Sequence, residues 1–311
     1  MSKATENRQP APRSPLVRLA ARRPVASFLV MLYAITWAVF LPVVLQARGL
    51  LALPIDLSEG LAFNVVLAIA SILGIALPAL LVTAATSGKA GVRDLLSRCL
   101  RWRVGVRWYL IAILGFLAAM LLVASVFQGL TPLGALVEKW PLFFTLFLPE
   151  VLLPFLFIQV FEEAGWTGFM QHNLQERRGP LLASILVAPA FVLQHLPIIL
   201  MDASVGLGSV IIVGALVVVA VFFRVVIMWL YNGSGRSVLV VALFHSVYNS
   251  AWGTGDKKFA NELLSGSALP YAMVAVAVIA VVLAIMTRGR LACEPERVGP
   301  RPAEAGPASE T

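Results

Sequence analysis

The chain has 311 residues, of which 59% are hydrophobic and 13% charged, and its mean hydropathy is +0.88. Soluble domains carry about 25% charged residues, so this balance excludes a water-soluble globular protein. The net charge of +8 comes from basic residues spread between apolar runs, which excludes a nucleic-acid surface and points to membrane topology and anionic lipid headgroups.

Residues 1–24, rich in Arg, Pro and Ala, read as a disordered cytosolic tail. The apolar run at 25–46 is too long for a signal-peptide core and lacks a small-x-small cleavage site, so it reads as a retained first span. Further spans follow at 61–86 and 108–127. Between them, 88–107 reads as an interfacial amphipathic helix, with a plain basic loop as the alternative. Val92, Leu95, Leu96, Cys99 and Trp102 form one face, and Arg98 and Arg101 the other. The fourth span, 140–175, shows no break, although Pro149 and Pro154 are placed to bend it. Gly179 and Pro180 suit a turn and a first helical turn, opening a fifth span to about 200. Spans at 207–231, 237–252 and 269–286 follow, and residues 288–311 read as a second polar, Pro-rich tail. Cys99 and Cys293 lie outside the spans and suggest no disulfide framework.

The expected fold is all-α: a polytopic membrane bundle of about eight transmembrane helices over residues 25–287, with an intramembrane polar chamber. Eight spans put both termini on one side. Nineteen Lys and Arg residues then fall on that side and four on the other, namely Arg48, Lys139, Lys257 and Lys258. The positive-inside rule makes the richer side cytosolic, as for a multi-pass protein of a bacterial plasma membrane.

Chemistry concentrates in FEEAGWTGFMQ, residues 161–171. Glu162 and Glu163 follow VLLPFLFIQVF, which has no charge, and each charge inside a bilayer costs on the order of 2.5–3.5 kcal/mol. His195 and His245 fall in two other apolar runs, and Asn249 shares a helical face with His245. At about 1.5 Å rise per residue, Glu162, His195, His245 and Asn249 lie roughly 15–22 Å from the turns on the cytosolic side, in one slab. Taken singly, a His or Asn there is a helix–helix hydrogen bonder, and the glutamates are a structural ion pair. Taken together they describe a polar reaction chamber. Glu150 marks the outer interface, and His172, near the cytosolic end, reads as solvated.

Such residues support hydrolysis. A carboxylate in a partly dry site serves as general base to water, a histidine orients that water, and a second His with an Asn donates to an oxyanion. The alternative is zinc held by Glu162, His195 and His245, although no HExxH is present.

Three stretches carry a specific resemblance: Glu162-Glu163-Ala-Gly-Trp166-Thr167-Gly, Phe191-Val-Leu-Gln-His195 and His245-Ser-Val-Tyr-Asn249. In order and placement they resemble the CPBP family, the CAAX protease and bacteriocin-processing (Abi) proteins, over residues 142–252. That family includes type II CAAX prenyl endopeptidases, which remove the last three residues of prenylated proteins. The resemblance implies an eight-helix bundle around a chamber open to the cytosol and a membrane-associated protein substrate. It also implies that Glu162 with His195 activates water, that His245 with Asn249 forms the oxyanion site, and that Glu163 supports the pair. Such proteins are described both as metalloproteases and as metal-independent glutamate proteases, so zinc or no cofactor both stay open, and Asn249 suits the metal-free form. Thr167 departs from the pattern, which commonly has Arg there. Arg224, inside the sixth span, must snorkel or find an anion. It is expected to pair across helices with Glu163 or to close the chamber beside it. Two other functions compete: a non-catalytic scaffold or bacteriocin-immunity protein, and a proton-coupled transporter. The transporter would show two related halves, and no internal repeat is visible.

Overall fold

The structure, a computed structural model, describes residues 15–202, 206–251, 258–264 and 268–293. The described residues form helices and turns: α1 (Pro15–Arg22), α2 (Pro24–Ala47), α3 (Gly60–Cys99), α4 (Val106–Gln128), α5 (Thr131–Glu138), α6 (Phe143–Arg178), α7 (Pro180–Gln194), α8 (Leu196–Asp202), α9 (Leu207–Gly233), α10 (Val238–Ser250), α11 (Phe259–Leu263) and α12 (Leu269–Met286). Of the first tail, residues 1–14 lie outside the described residues, and residues 15–22 are helical and pack beside α2 and α3. The second tail, 294–311, lies outside the described residues.

Among the described residues six helices, α2, α3, α4, α6, α9 and α12, are long and apolar enough to cross a membrane. Their outward faces expose Leu122, Val126, Phe127, Val210, Ile211 and Ile285, as a bilayer solvent allows. The chain is an integral, multi-pass membrane protein. The fifth and seventh expected spans prove shorter. Helix α7 has 15 residues and stops before His195, with Pro197 following, and α10 has 13. At 1.5 Å per residue, 13 residues reach only about 20 Å. Helix α10 instead sits inside the bundle, against α4, α6 and α9, and every residue of it except Leu239 and Asn249 is buried. Ser237 starts it: the hydroxyl accepts from Val240 N (3.3 Å), satisfying a free helix donor, and donates to the Arg101 carbonyl (2.6 Å).

Helix α6 runs unbroken for 36 residues, but three stretches are wound as wider π-turns: Phe143–Phe147, Phe155–Gln159 and Ala164–Gln171. The last begins directly after the two glutamates. Gly165, in its first turn, sets the spacing of α6 from α3. A Cβ there would lie 2.5 Å from Ile75 Cγ2 and 3.1 Å from the Ile75 carbonyl oxygen, so only glycine lets the helices approach this closely. Gly179 has φ 78, a left-handed value that stops α6 and lets Pro180 open α7.

Helix α3 bends at Gly88 (φ 63). Beyond the bend the expected faces are kept only in part. Leu95 and Cys99 turn inward as expected, but Arg98 turns inward with them and Leu96 is exposed. Arg98 is stabilised there because its Nη1 donates to the Gly168 carbonyl (2.7 Å) and to Tyr231 Oη (2.9 Å), while Nη2 pairs with Asp94 (2.9 Å). On the other side of the bundle, Glu150 pairs with Lys258 (2.8 Å) and accepts from Phe259 N (3.1 Å), and Lys139 pairs with Glu262 (3.0 Å). Glu150 therefore ties α6 to the start of α11.

The charge asymmetry predicts which side faces the cytosol. With Cys99 and Cys293 replaced, a single cysteine at Thr254 should react with an impermeant reagent from outside intact cells, and one at Ser97 should not. The reverse pattern would invert the orientation.

Candidate active site

The two glutamates lie at the point where α3, α6, α9 and α10 meet, and both are buried. They are engaged very differently. Glu163 is fully enclosed. Its Oε1 accepts from His245 Nδ1 at 2.7 Å, and its Oε2 accepts from Arg224 Nη1 at 3.0 Å and from the Thr167 hydroxyl. Arg224 Nη1 also donates to Thr167 Oγ1 at 3.3 Å, closing a triangle of Arg, Thr and carboxylate. A carboxylate cannot donate, so His245 carries its hydrogen on Nδ1. Glu162 has looser company: Ser71 Oγ at 3.5 Å and His245 Nε2 at 3.8 Å. His245 thus stands between the glutamates, one ring nitrogen bound and the other in reach.

Arg224 does not snorkel. Its side chain is wholly buried, with Cζ 4.2 Å from the Phe191 ring centroid, 5.5 Å from Phe223 and 5.8 Å from Trp166. Ring faces are electron-rich, so this aromatic box offsets part of the cost of burying the cation. Its backbone is pinned as well, since its carbonyl accepts from Gln171 Nε2 (3.1 Å) and from the Ser184 hydroxyl (3.2 Å). Those two bonds lock α9 to α6 and α7.

His195 is placed by the end of α7. Its N–H tightens onto the Val192 carbonyl (3.0 Å), which leaves the Phe191 carbonyl without its usual backbone donor. His195 Nδ1 takes that role at 2.8 Å. An imidazole whose Nδ1–H is committed presents an Nε2 lone pair. Phe191 lies between the histidines, 4.6 Å from the His195 ring and 5.9 Å from that of His245, and packs edge-on to Trp166. No direct hydrogen bond joins His195 to either glutamate among the described residues. Asn249 is half-buried, one turn past His245, and its side chain makes no hydrogen bond among the described residues.

Glu162, Glu163, His245, Arg224, Phe191 and Trp166 are therefore in one cluster, with His195 and Asn249 at its edge. Sequence reasoning passed over Ser71, although it is the one hydroxyl in VVLAIASILGIALPALLV. It also misplaced His172. That side chain is buried, with Nδ1 3.2 Å from Tyr231 Oη and Nε2 3.2 Å from Glu176, not solvated. As a metal site the residues do not fit: Glu162, His195 and His245 do not close on one point, and among the described residues no group of three His, Cys, Asp or Glu side chains could hold a metal ion.

Fold and cluster together define a polytopic membrane protein with a charged Glu–His site enclosed by its helices. A family model described as type II CAAX prenyl endopeptidase Rce1-like matches residues 143–251. The match takes in every member of the cluster, though not Ser71 beside Glu162, and supports a CAAX-type intramembrane endopeptidase in general terms. No curated protein matches the chain.

Proposed function

We propose that the chain is an intramembrane endopeptidase that cleaves near the C terminus of a membrane-associated protein, using water activated by Glu162 without a metal. The observation that carries this reading is the unequal engagement of the two glutamates. Glu163 is held by three donors and is not free to take a proton. Glu162, one residue earlier, has only long contacts and is free to do so. In this reading His195 Nε2 accepts one hydrogen of the attacking water and fixes its orientation. The water oxygen bonds to the scissile carbonyl carbon, its other proton passes to Glu162, and the carbonyl electron pair moves onto oxygen. His245 and Asn249 donate to that oxyanion. Because His245 Nδ1–H is committed to Glu163, Nε2 can donate only in the imidazolium form, flanked by two carboxylates. Collapse breaks the C–N bond, and Glu162 returns its proton to the leaving amine. Glu163, Arg224 and Thr167 hold His245 in place, while Phe191 and Trp166 wall the site. Both termini face the cytosol, so the chamber receives cytosolic C-terminal tails, lipid-modified or otherwise held at the membrane.

The test is cleavage of a membrane-held C-terminal peptide by the purified protein, before and after thorough chelation. Unchanged activity with no bound zinc by elemental analysis is expected. Activity lost on chelation and restored by zinc would replace the metal-free reading.

A further inference from the structure

A groove of about 610 Å³ lies on α3 where the helix bends at Gly88, away from the glutamates. Ala84, on the membrane-spanning part, lines one end; Lys89, Val92, Arg93, Leu96 and Leu100 line the rest. Positions 89, 93, 96 and 100 follow helical spacing and make one stripe, with two cations first and two leucines after. The described residues do not cover this stripe. Leu96 is 42% and Leu100 69% exposed, while Leu95, Arg98 and Cys99 on the opposite face turn into the core. Among the described residues no acid neutralises the cations from within the groove: Asp94, the one acidic residue between 87 and 107, is paired with Arg98.

Lys89 and Arg93, one turn apart, repel each other unless an anion sits between them. Next to them the lining is hydrocarbon, at the height where α3 leaves the membrane. An occupant must therefore be anionic at one end and apolar at the other. The N-terminal tail is excluded by charge, since Lys3, Arg8 and Arg13 repeat the sign of the groove. Residues 294–311 carry four glutamates but only one aliphatic residue larger than Ala, Val298, and leave the leucines uncovered. We propose that the bend at Gly88 is a site for one anionic phospholipid, its phosphate between Lys89 and Arg93 and an acyl chain against Ala84, Val92 and Leu96. Such a lipid braces the helix that also brings Ser71 to Glu162 and Arg98 to the Gly168 carbonyl. Juxtamembrane Lys and Arg attract anionic headgroups electrostatically, so the headgroup charge decides the binding.

The full-length protein, purified in detergent, is titrated with phosphatidylglycerol or phosphatidylcholine, and bound lipid is counted by native mass spectrometry. Phosphatidylglycerol should bind in preference, Lys89→Gln with Arg93→Gln should weaken it roughly tenfold or more, and Lys89→Arg with Arg93→Lys should keep the preference. Inorganic phosphate should not compete. Equal binding of the two lipids, or an unchanged preference in the double Gln variant, would overturn the site. Competition by inorganic phosphate would reduce it to an anion pocket. Binding that appears only after deletion of residues 294–311 would make the tail the occupant. None of these outcomes depends on proteolysis, so they stand or fall apart from the proposed activity.

Discussion

Replacing Glu162 with Ala or Gln should leave a folded bundle that no longer cleaves, with a loss of at least about 10²–10⁴-fold. The reason lies in what each glutamate touches. Glu162 has no strong donor to lose, so its removal costs the fold little and removes the proton acceptor. His195→Ala and His245→Ala should also abolish proteolysis, through loss of water orientation and of the oxyanion donor. The neighbouring substitution should behave differently. Glu163→Gln leaves Arg224 buried beside a neutral group, and stranding one member of a buried ion pair costs about 3–5 kcal/mol, so thermal stability should fall along with activity. Size-exclusion profile and thermal melting, read beside turnover, separate the two effects. Wild-type turnover by any two of the Glu162, His195 and His245 variants would remove the proposed site.

Arg224→Leu should bring an equally large loss by another route. The guanidinium is the permanent cation bound to Glu163, and both side chains are wholly buried. Without it Glu163 loses a partner on Oε2 and no longer holds His245 in one place. Misplacing a catalytic group by about 1 Å can cost about 10²-fold in rate. Thr167→Arg on that background should restore part of the activity. Thr167 is four residues past Glu163, on the same carboxylate oxygen and against Arg224, so a guanidinium grown from that position reaches the same place. Arg224→Lys should retain more activity than Arg224→Leu, because it keeps the charge while losing the planar fork. A silent Arg224→Leu, or no rescue from a stably inserted double variant, would show that the triangle does not position the site.

The long apolar spans and the depth of the charged residues were readable in the sequence, because a bilayer allows few other patterns. The pairing of Arg224 with Glu163 was readable as one of two outcomes, because a cation inside an apolar span either snorkels or finds an acid on a neighbouring helix. Helix phase was harder to read. His172 was expected to be solvated, and on a regular helical wheel it would indeed lie opposite Glu163, but Ala164–Gln171 is wound with wider turns, each taking up about one extra residue. The wheel therefore loses register before residue 172, and the side chain meets Tyr231 instead of water. Arg98 was missed because it lies one helical turn from Leu95, at the edge of the apolar face, and because a cation at the interface was assumed to face outward. The lengths of α7 and α10 could not be read from hydropathy, because helices surrounded by protein are as apolar as those surrounded by lipid. Ser71 was overlooked because a lone serine in a span is ordinarily satisfied by its own helix. It does bond the Leu67 carbonyl (2.8 Å), and only the close crossing at Gly165 brings it to Glu162 as well.

The claim that this buried Glu–His cluster cleaves peptide bonds is tested most directly by product analysis. Purified protein in liposomes is mixed with a lipid-modified peptide ending in a CAAX sequence, beside the Glu162→Gln variant, and the products are weighed by mass spectrometry. The account predicts that the wild-type protein releases the last three residues and the variant releases none. An intact peptide after incubation with folded wild-type protein, or equal release by both proteins, would contradict it.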